Sequence, residues 1–264
     1  MSFIVWAHHM FLTGMGQTMS MFFAVTTMII SVPSIVILSC LFISLWGGSI
    51  RFNTPMLFAL SFLPMFGMGG LTGLPLGLPL SDIHLHDTYY VISHFHYVVA
   101  PGTIFAIFAG IYFWFPKITG KKLNEVLGKI HFIFSLIFMN GIFFPMLIQG
   151  LAGVSRRLAD GGEAYAHAQS VIHYNEFMSY SAWLLGLAQL PFIFNIILTL
   201  IKKKDKVADP NPWKATTMEW ACPSPPIGHG NFESEPVAYR GPYEYSVPDH
   251  EDDFSPQFEK LGDK

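Results

Sequence analysis

No Asp, Glu, Lys or Arg occurs before Arg51, and the next charged residue after it is Asp82. A water-soluble domain has to cover its surface with polar and charged groups, so a stretch this long with one charge belongs in lipid. The whole chain is 52% hydrophobic and 12% charged, which fits a membrane protein carrying a polar appendage. Five apolar stretches reach the roughly 20 residues that cross a bilayer, at about 17–46, 54–80, 88–116, 130–153 and 171–200. Bends or local irregularities are expected at Pro33, at Pro64, in the glycine-rich stretch 67–73 and at Pro101.

Charge placement predicts the orientation. Arg51, then Lys117, Lys121, Lys122 and Lys129, then Lys202, Lys203, Lys204 and Lys206 fall on one side of the five spans, against only Arg156 and Arg157 on the other. The lysine-rich side is therefore cytoplasmic or its organellar equivalent. An odd number of spans then puts the first residues outside, yet no basic region of a signal peptide precedes the first span. The segment 2–7 (SFIVWA) reads as the end of a hydrophobic element begun upstream, so the expectation is a piece of a larger membrane domain, with a self-contained five-span protein as the alternative.

Two regions are expected: spanning helices over 1–201 and a polar tail over 202–264. The tail holds acids including Glu251, Asp252, Asp253, Glu259 and Asp263, basic residues ending at Lys264, and prolines from Pro210 to Pro256. Such a composition forms little helix or sheet and predicts an extended arm on the cytoplasmic face or on partners. Cys40 lies in a span and Cys222 in the tail, so no disulfide is expected between them. There is no internal repeat and no nucleic-acid motif, which leaves the lipid membrane and other membrane chains as the expected partners.

Histidines carry the chemistry. His8-His9 precede the first full span on its outer side, where two adjacent imidazoles in a turn or helix end can converge on one ion. In DIHLHDTYYVISHFHYV, His84 and His86 share the outer loop with Asp82 and Asp87, while His94 and His96 lie inside the next span. Two positions along a helix turn it by about 200°, so His94 and His96 point to opposite sides and suit two centres flanking one helix. A planar cofactor held by one axial imidazole is most often haem. The histidines could instead cap polar networks between helices, but four of them within residues 84–96 at membrane depth argue for function. Arg156 and Arg157 occupy the remaining outer loop, on the same face; a guanidinium pair beside a haem suits propionate anchoring, and a charged loop balanced by Asp160 and Glu163 is the alternative.

The strings VWAHHMFLTGM, GGLTG, DIHLHDTYYVISHFHYV, WFPKITG, KIHFIFSLIFMN, GLAGVSRR and, in the tail, NPWKATTMEWACPSPP, HGNFE and YRGPYEYSVP make the chain resemble the C-terminal half of subunit I of the haem-copper oxidases, of the cytochrome c oxidase type. The resemblance runs from residue 5 to about 248. It implies an all-α integral membrane fold in which about five transmembrane helices form the C-terminal part of a twelve-helix core. It also implies roles: His8 and His9 as two of three ligands of the active-site copper CuB, His94 as proximal ligand of the high-spin haem, and His96 as one of two axial ligands of the low-spin haem. His86 and Asp87 match ligands of a magnesium site shared with subunit II, Asp82 an acid near the haem propionates, and Arg156 and Arg157 the propionate anchors.

The implied reaction is reduction of dioxygen to water with proton pumping, driven by electrons from cytochrome c arriving through subunit II. Subunits II and III would be partners, in a bacterial inner membrane rather than a mitochondrial one. The third copper histidine, the cross-linked tyrosine and the other low-spin haem ligand would come from the N-terminal portion of subunit I on a separate chain. One departure stands inside the match: in MIISVPSIVILSC the family's proton-channel lysine is Ile37, with Ser34 at a nearby hydroxyl position. Isoleucine cannot relay a proton, which keeps a nitric oxide reductase-like enzyme and a quinol-oxidising member open beside the cytochrome c oxidase.

Overall fold

In a computed structural model the described residues are 2–201, 209–244, 246–248 and 254–261. Lys202, Lys203, Lys204, Lys206, Glu251, Asp252, Asp253, Asp263 and Lys264, on which part of the orientation and tail expectations rests, lie outside them. Among the described residues five helices are long and apolar enough to cross a membrane: α1 (Gly16–Leu45), α2 (Thr54–Leu76), α3 (Tyr89–Thr119), α4 (Glu125–Leu151) and α5 (Tyr174–Ile201). No strand is formed among the described residues, the one sheet-like feature being an antiparallel bridge between Thr88 and Ser155. The protein is an all-α integral membrane chain.

Local chemistry sets several helix ends. The Asn53 side chain accepts the Met56 N–H at 3.1 Å, and Pro55 sits in the first turn of α2, where its missing N–H costs nothing. Thr88 caps α3 by accepting from the Tyr90 N–H at 3.2 Å. Asn124 accepts from Val126 and Leu127 at 2.9 and 3.0 Å, which starts α4 at Glu125, ahead of the apolar boundary near 130. A helix can extend beyond the lipid as long as its first turn is capped, so hydropathy alone placed that start too late.

The irregularities fall at only some of the expected places. α1 is interrupted at Ile30, three residues before Pro33, and α3 widens into a π turn over Ala100–Phe105 around Pro101, whose ring removes one backbone donor. α2, in contrast, runs unbroken through Pro64 and through the glycines at 67–73. Those glycines serve packing. A Cβ on Gly69 would stand 2.9 Å from the Tyr97 carbonyl carbon and the Val98 nitrogen, and one on Gly73 would stand 2.7 Å from His94 Cε1. The G-x-x-x-G spacing therefore lets α2 lie against α3 at backbone contact, the device by which helices associate where lipid offers no hydrophobic driving force.

Chain packing separates two units. One comprises the residues up to Ala109 together with Lys129–Pro191. Here α2 packs closely on the first half of α3, and Ser93 donates to the Phe143 carbonyl at 2.5 Å while Tyr97 donates to Asn140 at 2.8 Å, tying α3 to α4. The other comprises Gly110–Gly128 and the chain from Phe192 onward. In it Trp220, 2% exposed, stacks on Trp114 at 5.5 Å, and Trp213 stacks on Phe113 and donates from Nε1 to its carbonyl at 2.9 Å. Buried Lys117 donates to the Cys222 carbonyl at 2.9 Å, and Asn195 exchanges two hydrogen bonds with the Asn124 backbone at 2.8 and 2.9 Å. Cys40 and Cys222 are both free thiols.

Candidate metal and haem centre

The N-terminal turn Trp6–Thr13 is a 3-10 helix ending at Gly14, whose left-handed φ of 81° releases the chain toward α1. On it the two neighbouring imidazoles converge: His8 Nε2 lies 3.0 Å from His9 Nε2. Two nitrogens bound to one ion at about 2.0–2.1 Å in tetragonal or tetrahedral geometry stand roughly 2.9–3.4 Å apart, so the pair fits a single copper ion. His8 Nδ1 is 3.2 Å from Thr27 Oγ1 on α1. With the proton on Nδ1 donated to that hydroxyl, Nε2 carries the lone pair a metal needs.

His94 is held from α2. Its Nδ1 lies 2.9 Å from the Gly69 carbonyl oxygen and 3.2 Å from Thr72 Oγ1, so a proton there bonds to the carbonyl and Nε2 is left for a ligand. His8, His9 and His94 line one cavity of about 720 Å³. The rest of its wall is mainly apolar, with Phe66, Leu71, Leu74, Val91 and Val98, while Gly67, Gly70, Gly73 and Gly77 leave room along the α2 side. A large flat group with an axial imidazole donor fits this space. Gly73 bears on it directly, since a methyl there would push the His94 ring. Gly73→Ala, by shifting the ring that would hold such a group, is expected to alter the group's absorbance and lower the activity of the assembly by about 10²-fold, the scale at which a misplacement of around 1 Å is felt; absorbance and turnover of the variant check it.

His96 does not line that cavity. Its Nδ1 lies 2.8 Å from the Ile92 carbonyl oxygen one turn back, and its ring stacks on Phe143 at 4.3 Å and 13°, with Phe95 at 4.2 Å on the chain-neighbour side. The two histidines thus serve different surroundings, as their helical offset requires.

At the outer end the strand-like pairing of residues 87–89 with 154–156 sets the charges. Tyr89 N–H donates to Val154 O at 3.0 Å, Arg156 N–H donates to Asp87 O at 2.8 Å, and the Arg156 side chain bonds Asp87 Oδ1 from Nε at 2.7 Å and Nη2 at 2.5 Å. Asp87 and Arg157 both take left-handed φ, 54° and 67°. His86 stands between the two acids, 3.6 Å from Asp82 and 3.5 Å from Asp87. Burial pushes the Asp82 carboxyl up to about 6, opposed by His86 and reinforced by Asp87, and its Oδ2 has no hydrogen-bond donor. At Asp87 slight burial works against the charge, but Arg156, His86 and Arg157 hold the carboxyl below the usual carboxylate range. Arg156 lines the cavity with Asp82, His86 and Asp87; Arg157 is exposed and does not. His84 is exposed.

Among the described residues no three His, Cys, Asp or Glu side chains gather as a metal site. His8 with His9, and His86 with Asp87, are pairs of donors, each of which would hold a metal ion only with further ligands. Thr27 carries no signal in the sequence, while Gly69 and Thr72 lie within the string GGLTG with no role at the site read from it. The G-x-x-x-G spacing at 69 and 73 was the available signal.

The family model described as "Cytochrome C and Quinol oxidase polypeptide I" matches residues 1–184. The alternative cytochrome c oxidase subunit 1 of Bradyrhizobium diazoefficiens is 44% identical over 258 residues, which is 97% of this chain and 43% of that protein. Cytochrome c oxidase subunit 1 of Synechocystis is 45% identical over 244 residues, 92% of this chain and 43% of that protein. The chain therefore spans well under half the length of these relatives. In fold it is similar to a heme-copper terminal oxidase dimer solved by cryo-EM, with a TM-score of 0.63 at 20% identity over 76% of this chain and 40% of that one.

Proposed function

The chain belongs to the cytochrome c and quinol oxidase polypeptide I family of haem-copper oxidases, and from that premise we propose that it forms part of the catalytic subunit of a proton-pumping cytochrome c oxidase. The reaction joins one dioxygen with four electrons and four protons to give two waters. The observation that supports it is the shared apolar cavity in which His94 and the converging pair His8–His9 are the imidazole donors.

In this proposal His94 would hold the high-spin haem, His8 and His9 would hold CuB, and His96 would hold the low-spin haem. The bound haems and copper supply the electron transfer and oxygen chemistry. The chain's residues hold and orient them: Gly69 and Thr72 fix the His94 ring, Thr27 fixes His8, and Phe143 fixes the plane of His96. Arg156 and Arg157 anchor propionates near Asp82. His86 and Asp87 take part in the magnesium site shared with subunit II. The remaining ligands would come from the part of subunit I that this match does not cover, because the donor sets are incomplete among the described residues. Subunits II and III complete the assembly. The bacterial relatives favour a bacterial inner membrane.

Nitric oxide reduction is the second reading, favoured by Ile37, which is half exposed and does not line the cavity. The purified assembly decides between them. Low-spin and high-spin haem absorbance, copper by elemental analysis, and oxygen consumption with reduced cytochrome c are the expected results. Iron without copper together with nitric oxide turnover would establish the reductase, and turnover with a quinol but not with cytochrome c would reassign the donor.

A further inference from the structure

Hydroxyls inside membrane helices usually fold back on a carbonyl of their own helix one turn earlier, as Ser61 does on Phe58 at 2.9 Å and Ser34 on Ile30 at 3.2 Å. Ser93 does otherwise. Fully buried, it donates across to α4, to the Phe143 carbonyl at 2.5 Å. A carbonyl oxygen has two lone pairs, so this bond leaves the backbone ladder of α4 intact.

The bond belongs to a seam. On α3 the seam is made by Tyr90, Ser93 and Tyr97, at positions i, i+3 and i+7 of one helical face. Opposite them on α4 stand, in antiparallel order, Gly150, where an added Cβ would strike the Tyr90 backbone, the Phe143 carbonyl, and the Asn140 side chain, which accepts from Tyr97 at 2.8 Å. His96 lies three positions after Ser93, beside this seam, and there the Phe143 ring stacks on it at 4.3 Å and 13°, while meeting the Tyr97 ring edge-on at 6.4 Å. Two contacts therefore fix the His96 imidazole. The Nδ1 contact with the Ile92 carbonyl at 2.8 Å sets one direction in the ring and leaves it free to swing about that line; the face of Phe143 removes the swing. Ser93 holds the Phe143 backbone at the height on α3 where its ring meets His96.

We propose that Ser93 is a positioning residue for the low-spin centre: by tying the Phe143 backbone to α3 it holds the Phe143 ring flat on His96 and so sets the plane of that imidazole. The inference rests on the reading of His96 as a low-spin haem ligand given above. The plane of an axial imidazole decides how its π orbitals meet those of the iron, and an apolar plate over the ligand keeps water from it, which favours the less charged, reduced state. Ser93 thus governs the spectrum and the reduction potential of that centre without being one of its ligands.

The test uses the whole purified assembly carrying Ser93→Ala, Phe143→Leu or both. Ser93→Ala removes a donor without leaving a buried polar group unpaired, so the fold should stand. Two readouts are compared: the midpoint potential of the low-spin haem by optical redox titration, and its electron paramagnetic resonance spectrum in the oxidised state. Ser93→Ala should keep its full content of low-spin haem while lowering the potential and broadening the resonance, and Phe143→Leu should shift both further in the same direction. The double variant should match Phe143→Leu, because a residue that acts through the Phe143 ring has no path left once the ring is gone. A parent-like resonance or a potential that stays or rises in Ser93→Ala overturns the proposal, as do single shifts that add in the double variant. His96→Ala, run alongside, separates this from the reading it rests on: a low-spin band that survives there refutes the His96 assignment, whereas a band lost there with a parent-like Ser93→Ala refutes the positioning role alone.

Discussion

Replacing His96 with alanine is expected to abolish the low-spin haem absorbance and take oxygen turnover to background, while copper content stays near that of the parent assembly. The ring is over-determined in place: its Nδ1 is 2.8 Å from the Ile92 carbonyl, and Phe143 stacks on its face at 13°. An imidazole whose other nitrogen is tied to a carbonyl is oriented and made more basic as a ligand. Because His96 stays off the cavity lined by His8, His9 and His94, its loss should be confined to one centre. His96→Met sharpens the test, since a thioether ligand retains haem but raises its reduction potential. Spectra of the reduced assemblies, with copper by elemental analysis, read both outcomes. An intact low-spin band in His96→Ala would end the assignment, and loss of copper together with the haem would show that the site is not independent.

That independence was legible from two sequence positions. An offset of two residues turns a helix by about 200°, so His94 and His96 had to face apart wherever the helix lay. The five spans were equally legible, because charge is absent from lipid-facing helices and its absence before Arg51 needs no tertiary knowledge. Composition, however, reports where lipid ends and not where a helix ends. The Asn124 cap starts α4 at Glu125, inside what hydropathy treated as loop.

Glycines misled for a related reason. Local propensity makes residues 67–73 look like a weak point, yet α2 is continuous there because Gly69 and Gly73 are consumed by contact with the backbone of α3 and with His94. The partner of a small residue is invisible until two helices are paired. Likewise His8 gave no hint of Thr27, nineteen residues along, nor Asp87 of Arg156, sixty-nine along. Residue type announces what a side chain can bind, and only the packing of α1 and α2 around the outer loops decides what orients it.

The pair His8–His9 carries the second large expected effect. His8→Ala and His9→Ala should each reduce copper in the purified assembly to a small fraction of the parent and remove oxygen turnover, with the low-spin spectrum unchanged. A metal held by two imidazoles from one turn loses a ligand and the chelate geometry at once, because the 3.0 Å separation of the two Nε2 atoms is set by adjacent backbone positions in the 3-10 turn. Thr27→Val should act more mildly. It keeps both ligands but removes the hydroxyl on His8 Nδ1, so copper affinity should fall by about 10–100-fold, the usual cost of losing an outer-shell partner. Acid should mimic the ligand variants progressively, since protons compete with copper for neutral imidazole and the metal is released as pH falls. Copper titration across pH reads all three predictions: a parent-like copper content in His8→Ala or His9→Ala would exclude the pair from the site, whereas the graded order alanine below valine below parent is what a two-imidazole chelate steadied by Thr27 requires.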